Sequence, residues 1–523
     1  MKSTKFKLSA VALLCALASG VSIASTEAPM APTEIDTELQ LVFQLIEENR
    51  SELLAELIEG SINLNAADHT GMTALHIAAQ AGRTDIARQL LASGAPLESE
   101  EIRGRTPLLI AASHGYVELV EILLDGGAQL RSEDSEGANA MILAAEVGSL
   151  ATVELLHARG LDLNATDDDG ASAMINAALS KNFEVVDRLI ELGADVNIRD
   201  EFANTALLVA AQKNETGSVR RLVEVGAGLQ VRDNLDNNAL IYAIWKDNRE
   251  LVDLFLEQGL SVETTFLQGA TPLMVAASTG NVELMQYFID RGADPQKLDQ
   301  NGASIAHYAA RANRSEVIEF LAEQKLELEA VDAAGRTALM MAASMGQSEV
   351  VQALIAAGVA VDTQDKLQRT ALYWAADHQR FDVANQLMQA QADTNLSDHK
   401  GVSPLMRTSM LGGSSMALKL IEAGADVNLK SAGDVSALGY AALKGNVAIV
   451  KILVENDADI NNTDTNGRTP IFYALGRSHV TILRYLIENG ASLDKQDTLG
   501  KSLQDYAASA GRPEFAEMVA IKS

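Results

Sequence analysis

Cysteine occurs once in the 523 residues, proline 9 times, and aromatic residues make up 4% of the chain. A lone thiol cannot close an intramolecular disulfide, and so few prolines and aromatics argue against a loop-rich or aromatic-centred fold. Basic residues are also scarce. Lys and Arg number 41 against 71 for Asp and Glu, a net charge of −30, and such a chain repels phosphate backbones. Nucleic acid is therefore not an expected partner. After the N-terminus no stretch approaches 18 consecutive apolar residues, the length read as a membrane span. What is present is a 47% hydrophobic share, too high for intrinsic disorder. Alanine and leucine must supply the core, and small side chains suit helices packed closely together.

The N-terminus is read apart from the fold. Lys2, Lys5 and Lys7 precede an apolar run from Leu8 to Ala18, too short to span comfortably, and Ser22-Ile23-Ala24 offers small residues for cleavage. This pattern predicts a signal peptide over 1–24 and a flexible leader over 25–35, with Pro29 and Pro32. Cys15 would leave with the peptide, and Leu14 stands where a lipid-anchored protein needs a small residue. The expectation is an exported chain, periplasmic or alternatively secreted, without membrane insertion after cleavage.

Laid on itself, the remainder repeats every 33 residues. Gly71, Gly104, Gly137, Gly170, Gly269, Gly302, Gly335, Gly401, Gly467 and Gly500 share one phase. Two positions later stands Thr or Ser in twelve of fourteen copies, Asn139 and Asn238 being the exceptions. An alanine column from Ala78 to Ala507 is broken only by Thr408, and a second glycine column includes Gly94, Gly127, Gly193 and Gly424. The first glycine permits a turn with positive φ, the hydroxyl caps a helix, and the alanines let helices approach. A second amphipathic helix such as Val117 to Leu124 follows, with Gly127 as its left-handed stop.

Gly104-Arg-Thr-Pro-Leu108, Ala111-Ala112, Gly115, Leu123-Leu124 and Gly127-Ala128 resemble the ankyrin repeat residue for residue, and Thr271-Pro-Leu273 and Thr469-Pro470 repeat the match. The resemblance implies an all-α solenoid of paired antiparallel helices joined by β-turn loops, a single elongated curved domain. Residues 36–67 read as a degenerate N-terminal capping repeat, and 68–523 as fourteen repeats, the last truncated. Asp236, Asn238 and Ile244 degrade the repeat at 233–265, Phe266 replaces a turn aspartate, and Gln324-Lys325 replaces a terminal glycine. The middle is thus expected to be either softer or simply drifted in sequence.

No catalytic arrangement stands out. Gly500-Lys501-Ser502 has Lys495 where a phosphate-binding loop needs glycine, and a calcium loop around Asp167-Asp168-Asp169-Gly170 would have Ala165 and Asn176 at two ligand positions. His76 and His307 sit at a helix-start position to which ankyrin repeats commonly give a structural histidine. No His-Glu-x-x-His helix or Gly-x-Ser-x-Gly elbow occurs. Neither enzyme activity, metal nor cofactor is expected.

What remains is a surface for binding. The resemblance implies that a partner lies along the turn tips and the exposed side of the first helices. At those phases stand Phe202, Leu235, Trp245, Phe266 and Leu267, whose alternative is packing between neighbouring repeats, while Trp374 falls at a buried phase. From residue 332 onward the phases hold Arg336, Lys366, Arg369, Lys400, Lys444, Arg468, Arg477 and Lys501, with Asp377 the only acid. These basic residues either form a strip for an anionic region of a partner or serve the turns themselves. The expectation is a monomeric module that binds a partner protein through its concave face and turn tips, acting stoichiometrically as scaffold, inhibitor or protector. The alternatives are a secreted effector and a structural spacer.

Overall fold

The computed structural model describes residues 34–60, 62–509 and 513–520. The expected signal peptide lies outside them, as does the leader apart from Glu34 and Ile35, which open the helix Glu34–Glu47. Among the described residues there are 30 helices and no strand. Isolated antiparallel bridges such as Glu133 with Asn139 pin individual turns.

One repeat shows the plan. Thr106 accepts the Leu109 N–H with its side chain, and Pro107 takes the first helical position, where its missing N–H costs nothing. The helix Pro107–Ser113 buries Leu108, Leu109, Ala111 and Ala112. A tight loop leads into the helix Val117–Asp125, which buries Leu119, Val120, Ile122 and Leu123. First helices stack on first helices, as Ala74–Gln80, Pro107–Ser113 and Ala140–Val147 do in succession. Leu109 and Leu123 are fully buried, and truncating either to alanine would cost about 2–5 kcal/mol.

The turn before each first helix fixes the register between repeats. At Gly104 the backbone has φ +72°, and a Cβ there would stand 2.9 Å from the Ser135 nitrogen, so glycine answers both strain and space. Where the glycine is missing the hand is kept: Ala203, Asp236, Gln368 and Asp434 all have positive φ.

The contacts cluster into two compact units, one ending at Leu260 and the other starting at Ser261. The 33-residue phase runs through this point without a break, which is why the sequence reading counts one domain. In the first unit the stacked first helices run to Ala239–Trp245, and in the second they begin at Pro272–Thr279.

Candidate partner-binding face

The face is built by an inward-facing aspartate in most turns, with Glu101, Phe266 and Ser431 in its place in the others. Asp134 Oδ1 accepts the N–H groups of Glu136 and Ala138, each at 3.0 Å, and Asp365 and Asp464 hold their turns in the same way. The carboxylate faces inward and the two residues after it are thrust into solvent. Those tips are bonded to one another. The Ser135 N–H donates to the Arg103 carbonyl at 2.8 Å, Glu201 to Asp169 at 2.8 Å and Asn234 to Phe202 at 3.1 Å in the first unit, and Gln300 to Gln268 at 2.8 Å in the second.

In the first unit three of the expected binding residues are exposed. Phe202 is 55% exposed, Leu235 66% and Trp245 48%. Phe202 and Leu235 occupy neighbouring tips joined by the Asn234 bond. Asp233 accepts the Leu235 N–H with Oδ1 at 2.8 Å and the Tyr242 hydroxyl with Oδ2. Tyr242 in turn packs edge-on against Trp245, ring centroids 5.6 Å apart. Burial and then the Asp233 carboxylate push the Tyr242 hydroxyl up to about 12, so it stays a donor. Tip and helix are thereby tied to each other through Tyr242. Ile102 and Leu179, not singled out in the sequence, are exposed in the same unit. The exposed phase alone could have found them.

Phe266 does not join such a surface. It is 3% exposed because it stands in the inward phase of the turn aspartate, so the expectation that its ring faces a partner is corrected. Lacking a carboxylate, this turn closes as a 3₁₀ turn over Leu267–Gly269 with Gln268 at positive φ. Leu267, 58% exposed, remains outside.

A family model described as ankyrin repeats matches overlapping stretches from 42–134 to 438–522. The chain belongs to the ankyrin repeat family. Ankyrin repeats are generally protein–protein interaction modules. A comparison with curated proteins gave no match.

The ankyrin turns also account for three of the basic residues. Arg336 lies 2.7 Å from Asp332, Arg369 2.9 Å from Asp365 and Arg468 2.8 Å from Asp464, each pair spanning its own turn. Their charge is spent on the turn carboxylates, so of the two alternatives these three arginines take the one in which they serve the turns themselves. Lys366, Lys400, Lys444 and Arg477 are exposed and pair with no described acid. Asp377 is taken by Arg407. Trp374, expected in the core, is half-buried: its indole N–H donates to Asp365 at 3.2 Å and the Arg369 guanidinium covers its ring at 3.9 Å.

The two helix-start histidines are structural, as the family resemblance implies. His76 Nδ1 accepts from the Thr73 N–H and hydroxyl, and Nε2 donates to the Arg105 carbonyl of the next repeat at 3.1 Å. His307 does the same with Ser304 and with the Arg336 carbonyl at 2.8 Å. Asp167 is bound to Ala171 and Asn176 within its own turn. Among the described residues no group of three His, Cys, Asp or Glu side chains is placed to hold a metal ion, and no helix is long and apolar enough to cross a membrane.

Proposed function

We propose that this chain is an exported binding module that holds a partner protein stoichiometrically, as scaffold, inhibitor or protector. The observation that carries the reading is the row of turn tips, bonded one to the next and exposing Phe202 and Leu235, with Trp245 exposed at the end of the helix that Tyr242 ties to the Asp233 turn. A surface already ordered loses little entropy on binding, and exposed aromatic and aliphatic anchors are the usual centres of affinity. Export rests on the lysines and apolar run of residues 2–18 and the small residues before Ser25.

Photo-reactive residues at Gln212 and Lys366, followed by crosslinking mass spectrometry in native envelope extract, test the binding. One dominant crosslinked protein is expected; a diffuse set of adducts would leave a spacer. Cell fractionation tests export, with the chain expected in the periplasmic fraction and its retention in the cytoplasm overturning that part.

A further inference from the structure

We infer that the unit ending at Leu260 takes a cationic, apolar-studded segment of its partner, apolar side chains against Phe202, Leu235 and Trp245 and basic ones along the neighbouring turn tips. This rests on the reading of the chain as a protein-binding module and adds the chemistry of what it binds.

The anchor is the apolar cluster. Phe202 and Leu235 lie on adjoining tips, and Trp245 joins them through Tyr242 and Asp233. Such side chains are costly to leave in water unless something covers them. The charge beside them selects the cover. Moving back along the bonded tips from Phe202 come Glu201, Asp169, Asp168 and Glu136, all exposed and none paired with a described base. The bonds from Asp168 to Glu136 at 3.0 Å and from Glu201 to Asp169 at 2.8 Å set these carboxylates along one line running into the apolar cluster.

Rows of unpaired like charge repel one another and are relieved by an incoming cation, which gains both affinity and a faster approach. The net charge of −30 adds to the same steering. Lys213 and Lys246 are exposed at the opposite ends of the first helices, with Glu146 an exposed acid there, so unpaired acid is concentrated along the tips. That asymmetry orients the segment, with its basic side chains toward the tips. Beyond Glu136 the acidic row ends, since the groove lined by Ile77, Ile102 and Ile110 near the start of this unit also carries Arg103 and Arg105. In the other unit Arg336, Arg369 and Arg468 are neutralised by their own turns, and its exposed, unpaired tip and helix-end residues Lys366, Lys400, Lys444 and Arg477 do not favour a cationic segment.

The test is selection from a random-peptide phage library on the immobilised full chain. The expected winners carry Lys or Arg together with aromatic or aliphatic residues. Their enrichment should fall at least about tenfold on the variant Phe202→Ser/Leu235→Ser/Trp245→Ser. A similar loss is expected on Glu136→Gln/Asp168→Asn/Asp169→Asn/Glu201→Gln, and at high salt. Circular dichroism checks that both variants keep their helicity, and Trp245→Phe should restore most of the binding lost in Trp245→Ser. Acidic winners that survive these variants and vanish on Lys366→Glu/Lys400→Glu would overturn the inference while leaving protein binding intact. Enrichment of cationic peptides undiminished by either variant would also overturn it. The absence of any enriched sequence would count against both.

Discussion

The Tyr473 hydroxyl donates to Asp464 Oδ2 at 2.6 Å, and the same oxygen accepts from Arg468 at 2.8 Å. A helix side chain thereby closes the turn nine residues before it. The arrangement recurs as Tyr308 with Asp299 at 3.0 Å, Tyr506 with Asp497 at 2.9 Å, and Trp374 with Asp365 at 3.2 Å. Burial alone would raise Asp464, but bonds from Tyr473, Arg468 and Asn466 outweigh it and hold its carboxyl below the usual range. Burial and that carboxylate together raise the Tyr473 hydroxyl.

Removing the hydroxyl should loosen that turn. Tyr473→Phe is expected to cost about 1–2 kcal/mol, since a charged acceptor loses a donor in a half-buried site. Repeat proteins open locally, so hydrogen exchange across 464–475 is the informative measurement. Protection equal to the parent chain would mean that Arg468 alone suffices.

Restoring the alanine column should stabilise the second unit. Thr408 and Ser409 bury hydroxyls that have no hydrogen-bond partner, at the positions of an alanine pair. Thr408→Ala/Ser409→Ala is expected to gain about 1–3 kcal/mol by removing that desolvation cost. Thermal unfolding of both chains decides it, a lowered midpoint showing that the lost methyl packing outweighs the hydroxyls.

A glycine belongs at the turn position held by Gln368. Its φ of 59° costs a side-chain-bearing residue about 1–2 kcal/mol, against about 0.4–1 kcal/mol of extra unfolded entropy for glycine. Gln368→Gly should therefore stabilise by a few tenths to about 1 kcal/mol, read as a shift in the urea midpoint. No shift would mean that the Gln368 side chain repays its strain.

Acid should weaken both histidine locks. Burial first, against opposing bonds to carbonyls, depresses His76 and His307 below 6.5. Each contributes stability that is complete above 6.5 and lost as pH falls through the depressed folded value. Protonation of Nδ1 would also abolish its two accepted bonds. The thermal midpoint is expected to fall as pH drops below about 6.5, and less steeply in His76→Asn/His307→Asn. Parallel slopes would place the acid sensitivity elsewhere.

The in-phase glycines, capping hydroxyls and alanines carried the helix pairs in the sequence because each is demanded by backbone geometry at a fixed spacing. The exposed cluster of Phe202, Leu235 and Trp245 was legible for the same reason, since phase tells which residues follow the inward aspartate. The nine-residue link from Tyr473 to Asp464 left a signal too, an acid before a tyrosine in several repeats, but spacing alone does not say which atoms meet.

By itself, then, the sequence determined the period, the handedness of the turns and the family, all properties of local backbone and repeated pattern. Only the tertiary structure decided which in-phase side chains are free. Phe266 turned inward because it fills the aspartate's place, and Arg336, Arg369 and Arg468 folded back onto buried carboxylates. Whether a charge or a ring remains available depends on how its own turn folds back on it in space, which the spacing of residues does not state.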